Sequence, residues 1–368
     1  MPSSQMLLVQ TGRDTSRVRM NLPYLILLIF LIIGGGCQTA AYYSQAMVGQ
    51  GQILFCQKSI EKIVSDPQQP KALVANLELV LKLREFARDE LRLDPGDNYL
   101  RYRSLGRKFA LWVVYAAPEF DINLKSWWYP VVGRFTSRGW FSEGGAQRFA
   151  DKLRTQGLDV HVGGAPAYST LGWFDDPVLS TFINYSKTDL AELIFHELAH
   201  RRLFVSGDAT FNESFATATA RASVQRWLEV ERNDEAVRRY RAECKRENTF
   251  VHLVLQTRTA LKELYQSNKP VDVMRKSKED ILGKLRLKLI SLHTEDREFS
   301  GLARWAKRPI NNANLAAIAI YYRQVPVFER LLEKSDGDLE KYFAEVKSLS
   351  KLAKEERIRK MQSLEHEK

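Results

Sequence analysis

Residues 191–221 read AELIFHELAHRRLFVSGDATFNESFATATAR, and they put His196, Glu197 and His200 within five positions of a chain that has six histidines in all. Ahead of them, Ser186-Lys187-Thr188-Asp189 has the form of a capping box. Leu190, Leu193, Ile194 and Leu198 then recur at helical spacing, which predicts a helix carrying both histidines. Four residues apart on a helix, two imidazoles lie one turn from each other on one face and can grip a single ion. Neutral imidazole suits zinc, and two nitrogens leave coordination positions open. Glu197, beside the first histidine, is placed to take a proton from a metal-bound water acidified to about pKa 7 and to return it to a leaving amine.

A third ligand is expected downstream. Ser206 stands where a metzincin needs its third histidine, which excludes that class. A second helix beginning near Asn212 brings Glu213 back to the metal, completing the two-His, one-Glu set of a catalytic zinc site with water in the fourth position. Along that helix the neighbours of Glu213 are Ala216, Thr217 and Ala220, small enough to let the two helices approach closely. Asp208 is the reserve ligand, with a helix cap as its other reading. His161, His252, His293 and His366 are scattered singly and read as ordinary surface or core histidines.

Working outward, 368 residues with 45% hydrophobic and 27% charged composition make a globular chain, large enough for one sizeable core or two smaller ones. The net charge of +11 is spread through helix-like segments, with no compact basic block and no glycine-rich phosphate loop. No nucleic-acid partner is expected, and the excess suits a surface that faces anionic membrane. After Arg13, Arg17 and Arg19 comes the apolar run Leu22 to Gly36, shorter than the about 20 residues that span a bilayer, so residues 1–36 read as a signal peptide. Cys56 and Cys244 are either bridged or free thiols.

Residues 41–94 read as helical; the amphipathic Leu73–Leu91 ends at the turn Asp94-Pro95-Gly96-Asp97. FALWVVYAA, WWYPVVGRF and LDVHVGG, between Phe109 and Thr181, are short Val- and aromatic-rich strands with one helix, Glu143–Gln156, among them. After Asp189 the chain is nearly all helix, and from Lys334 it becomes a charged tail, expected to be a fraying surface helix. The division that follows is 1–36 signal peptide, 37–108 N-terminal helical segment, 109–330 catalytic domain and 331–368 charged helical tail.

HELAH followed by NESFA resembles the gluzincin superfamily, in which HExxH is completed by an Asn-Glu pair on the next helix. Over most of its length the chain is more closely similar to the bacterial family of putative aminopeptidases. The similarity is carried by GCQTAAYYSQAMVGQ (36–50), YPVVGRFTSRGWF (129–141), QGLDVHVGGAPAYSTLGWFDDPVLST (156–181), LIFHELAHRRLFVSGDATFNESFA (193–216) and NNANLAAIAIYYRQVPVFERLL (311–332). The resemblance implies an α+β, zincin-like metallopeptidase fold, mainly helical, with a small mixed sheet whose edge strand precedes the HExxH helix and pairs with substrate; Gly163–Phe174 occupies that place. It implies one Zn²⁺ per chain held by His196, His200 and Glu213, Glu197 as general base, a peptide substrate, and Tyr321 or Tyr322 steadying the oxyanion. Thr217 departs from the acid that orients a ligand histidine in thermolysin-like relatives.

The free amine that an aminopeptidase must fix has Asp175, Asp176 and Glu192 as candidates. An endopeptidase with the same site, or a non-catalytic zincin-like binding lipoprotein, stays open. IIGGGC at the end of the apolar run resembles the cleavage box of bacterial lipoproteins, with Cys37 as the lipidated residue. That implies a periplasm-facing protein anchored to a membrane of the cell envelope. Oligomeric state is left open.

Overall fold

The computed structural model describes residues 36–129, 133–168 and 175–366. The first part forms α1 (Gly36–Leu54), β1 (Lys58–Ser59), α2 (Ile60–Val64), α3 (Lys71–Glu90), β2 (Arg101–Arg103) and β3 (Leu111–Pro118). Next come β4 (Trp127–Tyr129), β5 (Gly133–Phe135), β6 (Arg138–Trp140), α4 (Glu143–Arg154), β7 (Leu158–Ala165) and β8 (Val178–Leu179). The remainder is helical: α5 (Lys187–Arg202), α6 (Ala209–Val230), α7 (Asp234–Gln266), α8 (Val271–Glu295), α9 (Ser300–Ala306), α10 (Asn312–Tyr322), α11 (Val325–Lys334), α12 (Leu339–Ser350) and α13 (Lys354–His366). The mainly helical α+β class is as expected. In place of one small mixed sheet there are three pieces: an antiparallel β6-β3-β7, a mixed β1-β2-β8, and the β4-β5 hairpin.

β3 is the hinge between two packing layers. Successive strand residues point to opposite faces, so Leu111, Val113, Tyr115 and Ala117 enter the main core while Trp112, Val114 and Ala116 pack with Ala146, Ala150 and Leu153 of α4. Gly164 of β7 lies opposite Trp112, and a Cβ there would sit 2.2 Å from the Phe109 ring. The glycine thus answers a side chain of the same protein. Among the described residues β7 pairs on one side only, with β3. It covers the first three residues of the expected substrate strand, whose stretch 169–174 lies outside the described residues.

From Leu190 to His200 every residue of α5 except the half-buried Glu192 is buried, the polar stripe of His196, Glu197 and His200 included. α3 covers one flank and α6 the other. Full burial of Leu190, Ile194, Phe195 and Leu198 contributes about 1.5–3 kcal/mol each, which is what carries two histidines and a glutamate into the interior.

α10 bridges α6 and the sheet, and its N-terminus is fastened by Asn311, Asn312 and Asn314. Asn311 and Asn314 form a reciprocal capping box. Asn311 Nδ2 donates to the Val160 carbonyl (3.1 Å), and Asn312 Nδ2 to the carbonyls of Pro118 (3.1 Å) and Glu119 (2.9 Å). The backbone N–H of Asn312 donates to Asp159, its Oδ1 accepts from the Tyr265 hydroxyl, and Asn314 bonds Nδ1 of His161.

The charged tail is not a fraying surface helix. It folds as α12 and α13, and Tyr342, Phe343, Val346, Leu349, Met361 and Leu364 join the same core as Leu77, Val80 and Leu83 of α3. Residues 37–108 and 331–366 thereby share one core with the segment between them. Cys56 and Cys244 are free thiols. The leader before Gly36 lies outside the described residues, and among those described no helix is long and apolar enough to cross a membrane.

Candidate active site

α5 is capped as its sequence suggests: the Ser186 hydroxyl accepts from the Asp189 N–H at 3.1 Å. The loop to α6 is set by Asn212, whose side chain accepts from the Val205 N–H and donates to the Val205 carbonyl, both at 2.8 Å. Asp208 caps α6 by accepting from the Phe211 N–H and is held by Arg357 at 2.8 Å. The reserve ligand is therefore a cap, and it stands apart from the cluster that α5 and α6 build.

That cluster is His196, His200 and Glu213, each with a ligand-capable atom within 4.8 Å of the others and each buried. The two Nε2 atoms are 3.1 Å apart, and Glu213 Oε2 is 3.3 Å from His196 Nε2 and 3.6 Å from His200 Nε2. Two atoms about 2.0–2.1 Å from a common ion at the tetrahedral angle stand about 3.3 Å apart. The observed triangle has the size of one face of a zinc tetrahedron. Burial pushes the His196 pKa down and keeps it the neutral imidazole a metal requires. Burial alone would raise the Glu213 carboxyl, but the charge of His200 and hydrogen bonds from both histidines outweigh it and hold the carboxyl low. The fit has one gap, since His200 Nδ1 is buried without a hydrogen-bond partner where ligand histidines usually have one.

Glu197 is 4% exposed, and its Oε2 has no hydrogen-bond partner. A buried, unpaired carboxylate oxygen is costly and marks a group reserved for a molecule that is not part of the chain. Burial, then the charges of Glu213 and Asp176, raise its pKa well above that of an ordinary carboxyl. Asp176 is itself buried, with Asn98 Oδ1 accepting from its N–H at 2.6 Å. Of the three amine candidates, Asp176 backs Glu197, Asp175 is exposed, and Glu192 lies on the same side of α5 as His196.

The adjacent tyrosines part company. The Tyr321 ring stacks at 6.4 Å on that of His196 and shares a side-chain hydrogen bond with Tyr115. Tyr322 donates to Glu247 at 2.9 Å, and the Arg221 guanidinium lies 5.5 Å from its ring. Tyr115 was not singled out from sequence. Its period-two place in FALWVVYAA, a lone hydroxyl on the core face of a strand, was the available signal. Burial and the charge of Glu213 raise its pKa, so it stays a neutral donor.

A small cavity of about 60 Å³ opens beside His196 and Glu197, walled by Glu192, Glu243, Glu247 and Tyr321. Tyr240 donates to Glu192 at 2.9 Å. Burial, then the charge of Glu247, bring the Glu192 pKa up to about 7. A buried metal-sized triangle, an unpaired carboxylate and an acidic recess thus adjoin one another.

The sequence profile described as putative aminopeptidase matches residues 41–361. The chain belongs to the putative aminopeptidase family. The family match runs from α1 into α13 and takes in both site helices, the sheet and α10. No curated protein and no solved structure matches the chain.

Proposed function

We propose that the protein is a zinc-dependent aminopeptidase, with His196, His200 and Glu213 holding one Zn²⁺. The observation that carries this reading is the ligand triangle of tetrahedral size with the unpaired Glu197 oxygen at its side. Two imidazoles and one carboxylate form the donor set of hydrolytic zinc sites, and the ion supplies Lewis acidity that polarises a carbonyl and lowers the pKa of water to about 7. Glu197 takes the proton from the attacking water as its oxygen bonds to the carbonyl carbon. Glu197 then delivers that proton to the amide nitrogen as the C–N bond breaks, releasing an amino acid and the shortened peptide. The Tyr321 hydroxyl, held by Tyr115, donates to the developing oxyanion.

The acidic recess favours cleavage next to a free terminus, because an ammonium entering it meets Glu192 with Glu243, while Glu247 is held by Arg221 and Tyr322. Burial and Glu247 raise the Glu192 pKa to about 7, and a bound cation stabilises its ionised form. An endopeptidase has no use for such a recess. By the same proposal the leader delivers the protein to the periplasmic face of a bacterial membrane, where Cys37 carries the lipid.

The test pairs zinc content with hydrolysis of amino-free and amino-blocked versions of the same peptides, for wild type and Glu197→Gln. About one zinc in both proteins is expected, with cleavage by wild type alone and of free-amine peptides alone. The substitution is expected to cost at least 10³-fold in kcat. Absence of zinc sinks the metal centre, and cleavage of blocked peptides at equal rate replaces the exopeptidase with an endopeptidase.

A further inference from the structure

Tyr321 lies between two cavities. One is the acidic recess. The other is an open cleft of about 1000 Å³ whose wall includes Tyr115, Glu213 and Tyr321 together with Arg258, Lys262 and Arg323. The recess has no lysine or arginine in its wall, whereas the cleft is mixed and sets these cations beside Asp121, Asp208 and Glu365.

Arg258, on α7, is the telling residue. Its Nη1 is buried and has no hydrogen-bond partner. A guanidinium has five N–H donors in a fixed fork and is rarely buried unless a carboxylate or carbonyl receives them. Burial and the adjacent positive charge of Arg323 pull its pKa down to about 10, and Asp121 offsets this only in part. Asp121 is occupied in its own turn, where Oδ1 accepts from the N–H and Nδ2 of Asn123. Arg258 is half-buried as a whole, and among the described residues the two fully buried arginines have anionic partners: Arg221 with Glu247 and Glu329, and Arg357 with Asp208. Arg258 and its neighbour Arg323 hold donors in reserve, beside the site.

Arg323 follows Tyr321 by two residues, so its Cα lies within about 7.6 Å of that of Tyr321. An extended peptide advances about 3.5 Å per residue. A chain whose amine occupies the acidic recess, with its scissile carbonyl at the metal ligands, reaches the arginines one or two residues further on.

We propose that Arg258 and Arg323 form a carboxylate subsite on the leaving side of the scissile bond, making the preferred substrates peptides of two or three residues with a free C-terminus. This rests on the aminopeptidase reading. An acidic side chain just past the scissile bond offers the same chemistry from a second source.

The experiment compares four peptides on the full chain: dileucine with a free carboxylate, its C-terminal amide, the amide with glutamate after the scissile bond, and a hexapeptide acid. The dileucine acid is expected to exceed its amide by about 10- to 100-fold in kcat/KM, mostly through KM, as a charge-assisted hydrogen bond implies. The hexapeptide should fare no better than the amide. Arg258→Met and, at an exposed position where folding is not at risk, Arg323→Ala should bring the acid-to-amide ratio below about threefold, with Arg258→Lys keeping part of it. A glutamyl amide that equals the acid assigns the subsite to side chains instead of the C-terminus and overturns the length preference. Equal use of acid and amide by wild type, or a ratio that survives both substitutions, overturns the subsite. Should wild type cleave none of the four, the peptidase reading fails separately, and calorimetric titration still decides the subsite: acid-selective binding lost in both variants upholds it, and binding that is absent or indifferent to the carboxylate removes it.

Discussion

Tyr321 and Tyr322 are one residue apart and about 100° apart around α10. That rotation sends one ring onto His196 and the other hydroxyl to Glu247. Sequence supplied both as equal candidates, because the unbroken run of small and apolar residues from Leu315 to Ile320 gives that part of α10 no polar face to orient it. Under the proposed mechanism Tyr321→Phe removes an oxyanion donor and should lower kcat by about 10²-fold with KM little changed. Tyr322→Phe should keep kcat within about threefold and instead cost about 1–2 kcal/mol of stability, since Glu247 loses a donor in a half-buried setting. Steady-state kinetics and urea unfolding on the two variants separate these outcomes. Equal loss of kcat in both would mean that the stacking on His196 does not mark the working hydroxyl. The candidate metal cluster was legible for the opposite reason: His196 and His200, with Glu197 beside them, declare their geometry through helical spacing alone, and Glu213 through the small residues that follow it.

At the scale of elements, the boundaries encoded by short-range chemistry were readable and the contacts encoded at long range were not. The Ser186 cap and the turn after α3 each depend on a few adjacent residues, whereas WWYPVVGRF, read as one strand, divides into the paired β4 and β5. The fastening of α10 depends on partners 151 to 194 residues away, so Asn311–Asn314 appears in sequence as a polar start to an apolar helix and nothing more. Asn312 is 1% exposed, and all three hydrogen bonds made by its side chain are to groups outside α10. Asn312→Ala leaves two backbone carbonyls and the Tyr265 hydroxyl to find other partners, at about 2–4 kcal/mol. Because α10 also aims Tyr321, the substitution should lower kcat while zinc stoichiometry stays near one, both ligand helices being untouched. Chemical denaturation and metal analysis check this; a variant that keeps full stability would show that the sheet positions α10 without the asparagines.

Across the whole molecule, the segment that sequence set aside as a charged tail joins the main core and packs against α6, the helix that carries Glu213. Most of its charges, Arg357 apart, lie on outer faces, and its buried residues are too widely spaced to signal a core without the partner surface in view. Tyr342 meets Thr219 and Phe215, Lys354 donates to the Gly207 carbonyl, and one further contact is a buried ion pair. Arg357 on α13 is 4% exposed and holds the Asp208 carboxylate with Nη2 at 2.8 Å and Nε at 3.2 Å, while the other oxygen of Asp208 caps α6. The first turns of α6 present Glu213, so this carboxylate ties the C-terminal helices to the candidate ligand set. Breaking a buried pair from one side strands the other charge, and Arg357→Met should destabilise the protein by about 3–5 kcal/mol. Asp208→Asn preserves the cap but strands Arg357. Combining the two removes both stranded charges, so the double variant should be more stable than Arg357→Met alone by about 1–2 kcal/mol. Zinc affinity should follow the same order, weakest in Arg357→Met, because the start of α6 loosens with it. Urea unfolding and competitive zinc titration of the three variants test the link. Additive stability losses, or zinc affinity indifferent to Arg357, would show that α13 covers the core without supporting the metal centre.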